Sequence, residues 1–131
     1  MNHTTFEKSK RLKEAGFPQP EPDFGKIYYD KESEQKIVVI AFDGEYVDCV
    51  YQNLTWVSYY IKISDLIFAP TATDILREMP GYYHLYQPFN SEFWICDNAT
   101  NEDEWSESSN PAEAAALAYL QIKEHEPIPN H

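Results

Sequence analysis

The chain has four glycines, two cysteines and none of the spaced motifs that announce a cofactor or a catalytic apparatus. Each scarcity excludes something. The glycines stand singly at 16, 25, 44 and 81, so no glycine-rich loop is available to cradle a phosphate and no nucleotide cofactor is expected. No Gly-x-Ser-x-Gly elbow occurs, and Ser106, Ser108 and Ser109 read as loop serines. His3, His84, His125 and His131 fall far apart. Without His-x-x-x-His, His-Glu-x-x-His or Cys-x-x-Cys spacing, no zinc site is expected. Cys49 and Cys96 lie in apolar strand-like runs and read as buried free thiols, bridged only if their strands are neighbours.

Long apolar runs are missing too. None approaches the ~20 residues of a membrane span. Residues 1–16 are charged and lack the apolar segment of a signal peptide, so a soluble, cytoplasmic protein is expected. The glycosylation-type triplets at Asn2, Asn53 and Asn98 then carry no meaning.

Positive charge is scarce: Lys and Arg total 10 against 22 Asp and Glu, for a net charge of −12. Within residues 1–13, Lys8, Lys10, Arg11 and Lys13 face Glu7 alone, a net +3, which leaves −15 for residues 14–131. Such a body repels phosphate backbones and anionic membranes, so direct nucleic-acid or membrane binding is not expected.

Aromatic residues, by contrast, are abundant at 15%, with ten tyrosines, which argues against disorder. A length of 131 residues fits a single α+β domain, with its core over residues 26–126 and a tail at 127–131. Thr4-x-x-Glu7 reads as a capping box opening a helix over 4–15 with a thin apolar face of Phe6, Leu12 and Ala15. That helix either docks by charge on the acidic body or frays. Gly16 and Phe17 close it, and the alternate prolines of 17–25 read as an extended spacer.

Strand signals follow. Residues 26–30 form a short strand, and 31–35 a polar turn. Residues 37–42 and 45–51 flank Asp43-Gly44, a strong hairpin signal. With Asp43-Gly44 as the two-residue loop, Phe42 faces Glu45, Ile40 faces Val47 and Val38 faces Cys49, and these with Tyr51 form the more apolar face. Ile37, Val39 and Ala41 lie on the other. A strand apolar on both faces suggests a central position. Residues 56–63 read as a further strand, with 65–69 as a connector.

A second helix is expected over 71–79. Thr71 and Asp74 form its capping box, Ala72, Ile75, Leu76 and Met79 its apolar stripe, and Pro80-Gly81 its stop. A hairpin at 82–87 and 92–97 precedes a polar loop at 98–109. A third helix over 110–125 has Asn110 as cap, Pro111 in its first turn, and Ala112, Ala115, Ala116, Tyr119 and Ile122 on one side, with Leu117 exposed.

Carboxylates alone offer a route to chemistry. Two at the right separation hydrolyse a glycoside, but sequence does not measure separation. Glu102-x-Glu104 near Asp97 lacks the frame of a calcium loop, and no metal site is expected. Exposed tyrosines among acids suit protein recognition. Trp105, in the acidic run Glu102-Asp103-Glu104-Trp105, either packs back on the body or anchors a partner. These four residues are the candidate partner-binding site; no catalytic or cofactor-binding residue is expected.

Three segments together suggest a family: Leu12–Pro20, Ile67–Pro80 and Asn110–Ala116. Their layout resembles that of short bacteriophage and prophage proteins, similar to a phage αβα-sandwich domain, over Leu12 to Lys123. The resemblance lies in caps and core positions, and it implies no catalytic residues. This chain departs from it in having Ala115 where a larger apolar residue is usual.

The expected architecture is a mainly antiparallel sheet of five or six strands packed with two or three helices, as two layers or an αβα sandwich. The expected function is that of a phage- or prophage-encoded accessory protein that binds another protein without catalysis. The alternatives are an acidic DNA mimic that inhibits a DNA-binding enzyme and a carboxylate-based hydrolase.

Overall fold

A computed structural model describes residues 3–51 and 58–125. The chain divides into two compact units, Thr5–Pro70 and Met1–Thr4 with Thr71–His131. The class is α+β; among the described residues every strand pairs antiparallel, and the strands are shared between a five-stranded and a three-stranded sheet. Among the described residues no helix is long and apolar enough to cross a membrane. The tail at 127–131, His131, the triplet at Asn53 and the start of the strand expected at 56–63 lie outside the described residues.

The N-terminal unit opens with α1 (Phe6–Glu14). Its cap is Thr5, whose hydroxyl accepts from the Lys8 amide at 3.4 Å, so the cap sits one residue later than the expected Thr4. Thr4 is itself fully buried. Gly16, at φ +91°, closes the helix as expected, and the Phe17 amide donates to the Leu12 carbonyl. The helix docks, and charge is a minor part of it. Leu12 is fully buried, Phe6 meets the Tyr29 ring edge-on at 5.6 Å, and the Lys13 ammonium donates to the Leu66 carbonyl at 3.0 Å.

Five strands follow: β1 (Ile27–Asp30), β2 (Lys36–Phe42), β3 (Tyr46–Tyr51), β4 (Ser58–Lys62) and β5 (Leu66–Phe68), with a single 3-10 turn at Ile63–Asp65. Their order is β4-β3-β2-β1-β5. β2 is central, as its two apolar faces suggest. The expected strand over 56–63 ends a residue early at that turn. The connector expected at 65–69 contains β5, a strand whose three residues are all buried, so no alternation marked it.

The β2–β3 register differs from the expected one. Phe42 pairs with Val47 and Val39 with Cys49, with a bulge at Ile40. The two-residue loop is Gly44-Glu45, glycine first at φ +102°, the arrangement of type II′ hairpins. Asp43 is held just outside the loop because its carboxylate accepts from the Glu45 and Tyr46 amides at 3.3 and 3.1 Å. On the N-terminal side of the bulge the shift exchanges the faces of β2. Ile37 and Val39 are buried with Val47 and Cys49, whereas Ile40 and Phe42 are about half exposed.

The 17–25 segment is packed rather than a bare spacer. Phe17 and Pro22 are buried, and the Tyr28 hydroxyl donates to the Glu21 carbonyl at 3.0 Å. Adjacent Tyr28 and Tyr29 are both buried because β1 is covered on both faces. Tyr28 meets Phe68 and Tyr29 meets Phe6.

The C-terminal unit comprises α2 (Ala72–Arg77), β6 (Tyr83–Tyr86), β7 (Trp94–Asn98), β8 (Asn101–Ser108) and α3 (Pro111–His125). The Thr71–Asp74 capping box forms as expected: the Asp74 amide donates to the Thr71 hydroxyl at 3.3 Å and the Thr71 amide to the Asp74 carboxylate at 2.9 Å. Asn110 starts α3 by accepting from the Ala112 amide at 2.9 Å. α3 packs on β7 and β8 and also against α2. Cover from two directions explains why Ala114 and Ala118 are buried along with the predicted Ala112, Ala115, Ala116 and Tyr119, and why Leu117 is partly covered. Small side chains let the helix sit close to both neighbours.

Candidate functional site: the outer face of the three-stranded sheet

The region expected as a polar loop at 98–109 is mostly strand β8, at the edge of the sheet in the order β6-β7-β8. Its inward positions are polar, which hid the strand from any search for apolar alternation. They are satisfied by partners. The buried Ser106 hydroxyl donates to the Ala114 carbonyl of α3 at 2.6 Å. The half-buried Glu104 carboxylate accepts from the Tyr83 hydroxyl at 2.9 Å and the Asn98 amide at 2.8 Å. Burial, reinforced by Glu104, pushes the Tyr83 pKa up to about 12.

The triplet at Asn98 is spent within the fold. Its side-chain oxygen accepts from the Thr100 amide and hydroxyl, and its nitrogen donates to Glu104.

Strand alternation turns the neighbouring side chains outward. Trp105 lies opposite Asp97, and Asp97 lies opposite His84. One step along, Tyr86 lies opposite Ile95, and Ile95 opposite Glu107. Directly paired residues have Cβ atoms about 5 Å apart, so these six side chains form one patch. The Tyr86 hydroxyl donates to the Asp97 carboxylate at 3.1 Å, which raises its pKa. Trp105 is 49% exposed and Tyr86 42%. Phe93 and Phe89, at the β6–β7 turn, are exposed as well.

Of the expected partner-binding residues, the structure places Trp105 on this face and leaves Glu102 and Asp103 exposed beside it. Glu104 turns inward. Tyr86, Asp97 and Ile95 join Trp105. The alternation His84, Tyr86 along β6 pointed to them, but only the pairing of β7 with β8 shows that they meet Trp105.

Charge is unevenly divided. The segment Thr71–His131 holds eleven acidic and two basic residues, a net −9, whereas Thr5–Pro70 holds eleven acidic and eight basic, a net −3. The patch therefore sits on the strongly negative unit. It offers π faces, an apolar centre and carboxylates. Cys96 of β7 is fully buried, and burial pushes its thiol up to about 11. Cys49, in β3 of the other sheet, is likewise a buried free thiol pushed up to about 11 by burial. Among the described residues no group of three or more His, Cys, Asp or Glu side chains is placed to hold a metal ion.

No family model, no curated protein and no solved structure matches the chain.

Proposed function

We propose that the protein is a phage- or prophage-encoded accessory protein that works by binding another protein through the outer face of the β6-β7-β8 sheet, without catalysis. One observation carries the reading. The exposed Trp105 and Tyr86 flank the half-buried Ile95 in an aromatic and apolar patch whose rim is carboxylate, on the unit with net charge −9. Trp and Tyr are the side chains that most often anchor protein interfaces. Surrounding carboxylates favour a basic partner and speed its encounter. The layout of caps and core positions that resembles phage proteins supports the phage origin.

The test is capture of partners from bacterial lysate on the immobilised protein over a range of salt concentrations, with Trp105→Ala as control. Recovery of a basic protein, lost in the variant and weakened by salt, supports the reading. Capture equal on both forms, or none at any salt, overturns it. The DNA-mimic alternative draws on the same charge; it would show as a captured DNA-binding enzyme released by competing duplex and indifferent to Trp105→Ala.

A further inference from the structure

The N-terminal unit holds a cavity of about 390 Å³ at one end of its five-stranded sheet. That volume falls within the roughly 300–1,000 Å³ of ordinary small-molecule sites. Its walls are Pro20 and Pro22 from the segment after α1, Tyr28 of β1, Phe42 at the end of β2, Ile63 of the 3-10 turn and Leu66 of β5.

Phe42 marks it as an unfilled site. The bulge at Ile40 turns Phe42 to the same side as its partner Val47, which is fully buried. Phe42 itself remains 48% exposed, because over it lies open space rather than another side chain. At the rim, a Cβ on Gly44 would meet no atom within 4 Å.

The polar residues of the lining are Lys13, Gln19, Glu21, Tyr28 and Ser64, of which Glu21 and Ser64 are exposed at its edge. Tyr28 is committed to the Glu21 carbonyl. Gln19, also in the lining, is committed to the Phe68 amide and the Phe17 carbonyl. Lys13 is different. Its half-buried ammonium has three donors, one of which goes to the Leu66 carbonyl at 3.0 Å. Among the described residues no carboxylate meets it, in a chain where acids outnumber bases 22 to 10. A partly desolvated cation that pairs with no carboxylate, the exposed Glu21 of the same lining included, and that stands beside an apolar wall is a site for an anion with an apolar body.

We propose that this cavity binds a small, flat, largely apolar carboxylic acid, with its carboxylate on the Lys13 ammonium and its ring system against Phe42 and Ile63. The site lies in a different unit from the sheet face of the proposed function, and the two readings stand or fall separately.

The test is a titration of isotope-labelled full-length protein with 2-naphthoate, followed by backbone amide shifts, with the uncharged 2-naphthylmethanol in parallel. Saturable shifts are expected at the amides of Lys13, Phe42, Ile63 and Ser64 with both compounds, and tighter binding of the acid. Lys13→Met weakens the acid about tenfold, the worth of one charge-assisted hydrogen bond, and leaves the alcohol unchanged. Ser64 is an exposed lining residue, so Ser64→Trp folds, which a dispersed spectrum verifies, and it abolishes both. The proposal is overturned by the absence of saturable shifts at these amides, by equal weakening of both compounds in Lys13→Met, or by undiminished binding in Ser64→Trp. Movement of the same amides on raising protein concentration alone would mean that a second copy fills the cavity, and would overturn it too.

Discussion

The Ser106 hydroxyl donates to the Ala114 carbonyl oxygen at 2.6 Å and lies 3.4 Å from the Cys96 carbonyl. One buried side chain thereby ties β8 to both α3 and β7. By the two-residue period of a strand it also sends its neighbour Trp105 outward. Ser106→Ala leaves a buried carbonyl with one partner fewer, and a loss of about 1–2 kcal/mol in urea denaturation is expected. Trp105→Ala, on the solvent side, is expected to change stability by less than about 1 kcal/mol. A larger loss for Trp105 than for Ser106 would mean that the two faces of β8 are assigned the wrong way round.

Gly44 and Gly25 form a matched pair. A Cβ added at either would meet no atom within 4 Å, so crowding plays no part in replacing them. Gly44 sits at φ +102° and Gly25 does not sit in the left-handed region. Gly44→Ala is expected to cost about 1 kcal/mol or more, while Gly25→Ala is neutral or stabilising by up to about 1 kcal/mol. Thermal melts of the two variants decide this; equal behaviour would refute the Gly44-Glu45 loop.

Two tyrosines set an alkaline limit. Burial holds both Tyr28 and Tyr83 protonated up to a pKa of about 12, with Asp23 adding to the effect on Tyr28 and Glu104 to that on Tyr83. In the unfolded chain both ionise near 10. Between those values the folded state binds more protons, so stability is fully present below pH 10 and falls as pH rises towards 12. Ultraviolet titration is expected to show late-ionising phenols, Tyr28 and Tyr83 among them, whose ionisation coincides with loss of the far-ultraviolet dichroism. Complete ionisation of all tyrosines near pH 10 with the fold intact would contradict the burial of these rings.

Cys49 and Cys96 are both fully buried, with pKa values pushed up to about 11 by burial. Thiolate is the reactive form. At pH 8 a thiol-specific disulfide reagent is expected to label neither cysteine in the native protein and both in guanidinium chloride. Rapid native labelling would show that one of the sheets opens.

What could be read from the chain follows the physics of each element. The second and third helices were legible because Thr71, Asp74 and Asn110 are local caps, and a cap acts within four residues. The α+β class followed from the alternation of such helices with aromatic strands. β8 was hidden because Ser106 and Glu104 occupy inward positions and find their partners in α3, β6 and β7, which only the fold brings near. The register of the first hairpin differs by a residue because Asp43-Gly44 signals a turn without saying that the Asp43 carboxylate will accept from the Glu45 and Tyr46 amides. Trp105 was singled out by its place in an acidic run, but Tyr86, Ile95 and Asp97 could be joined to it only once β7 was known to pair with both β6 and β8.

The central claim is that the outer face of β6-β7-β8 is where a protein partner sits. Photo-crosslinking reads it directly, with a benzophenone amino acid placed at Trp105 in one variant and at Tyr60 in another, each produced in bacterial cells. Tyr60 is the right comparison. It is 62% exposed, stacks on Tyr46 at 4.9 Å and hydrogen-bonds Asp43, so it too is an exposed aromatic beside an acid, but it lies on the unit with net charge −3. The account predicts a discrete crosslinked species from position 105 and none from position 60. Crosslinks of equal yield from both positions, or from position 60 alone, would contradict it.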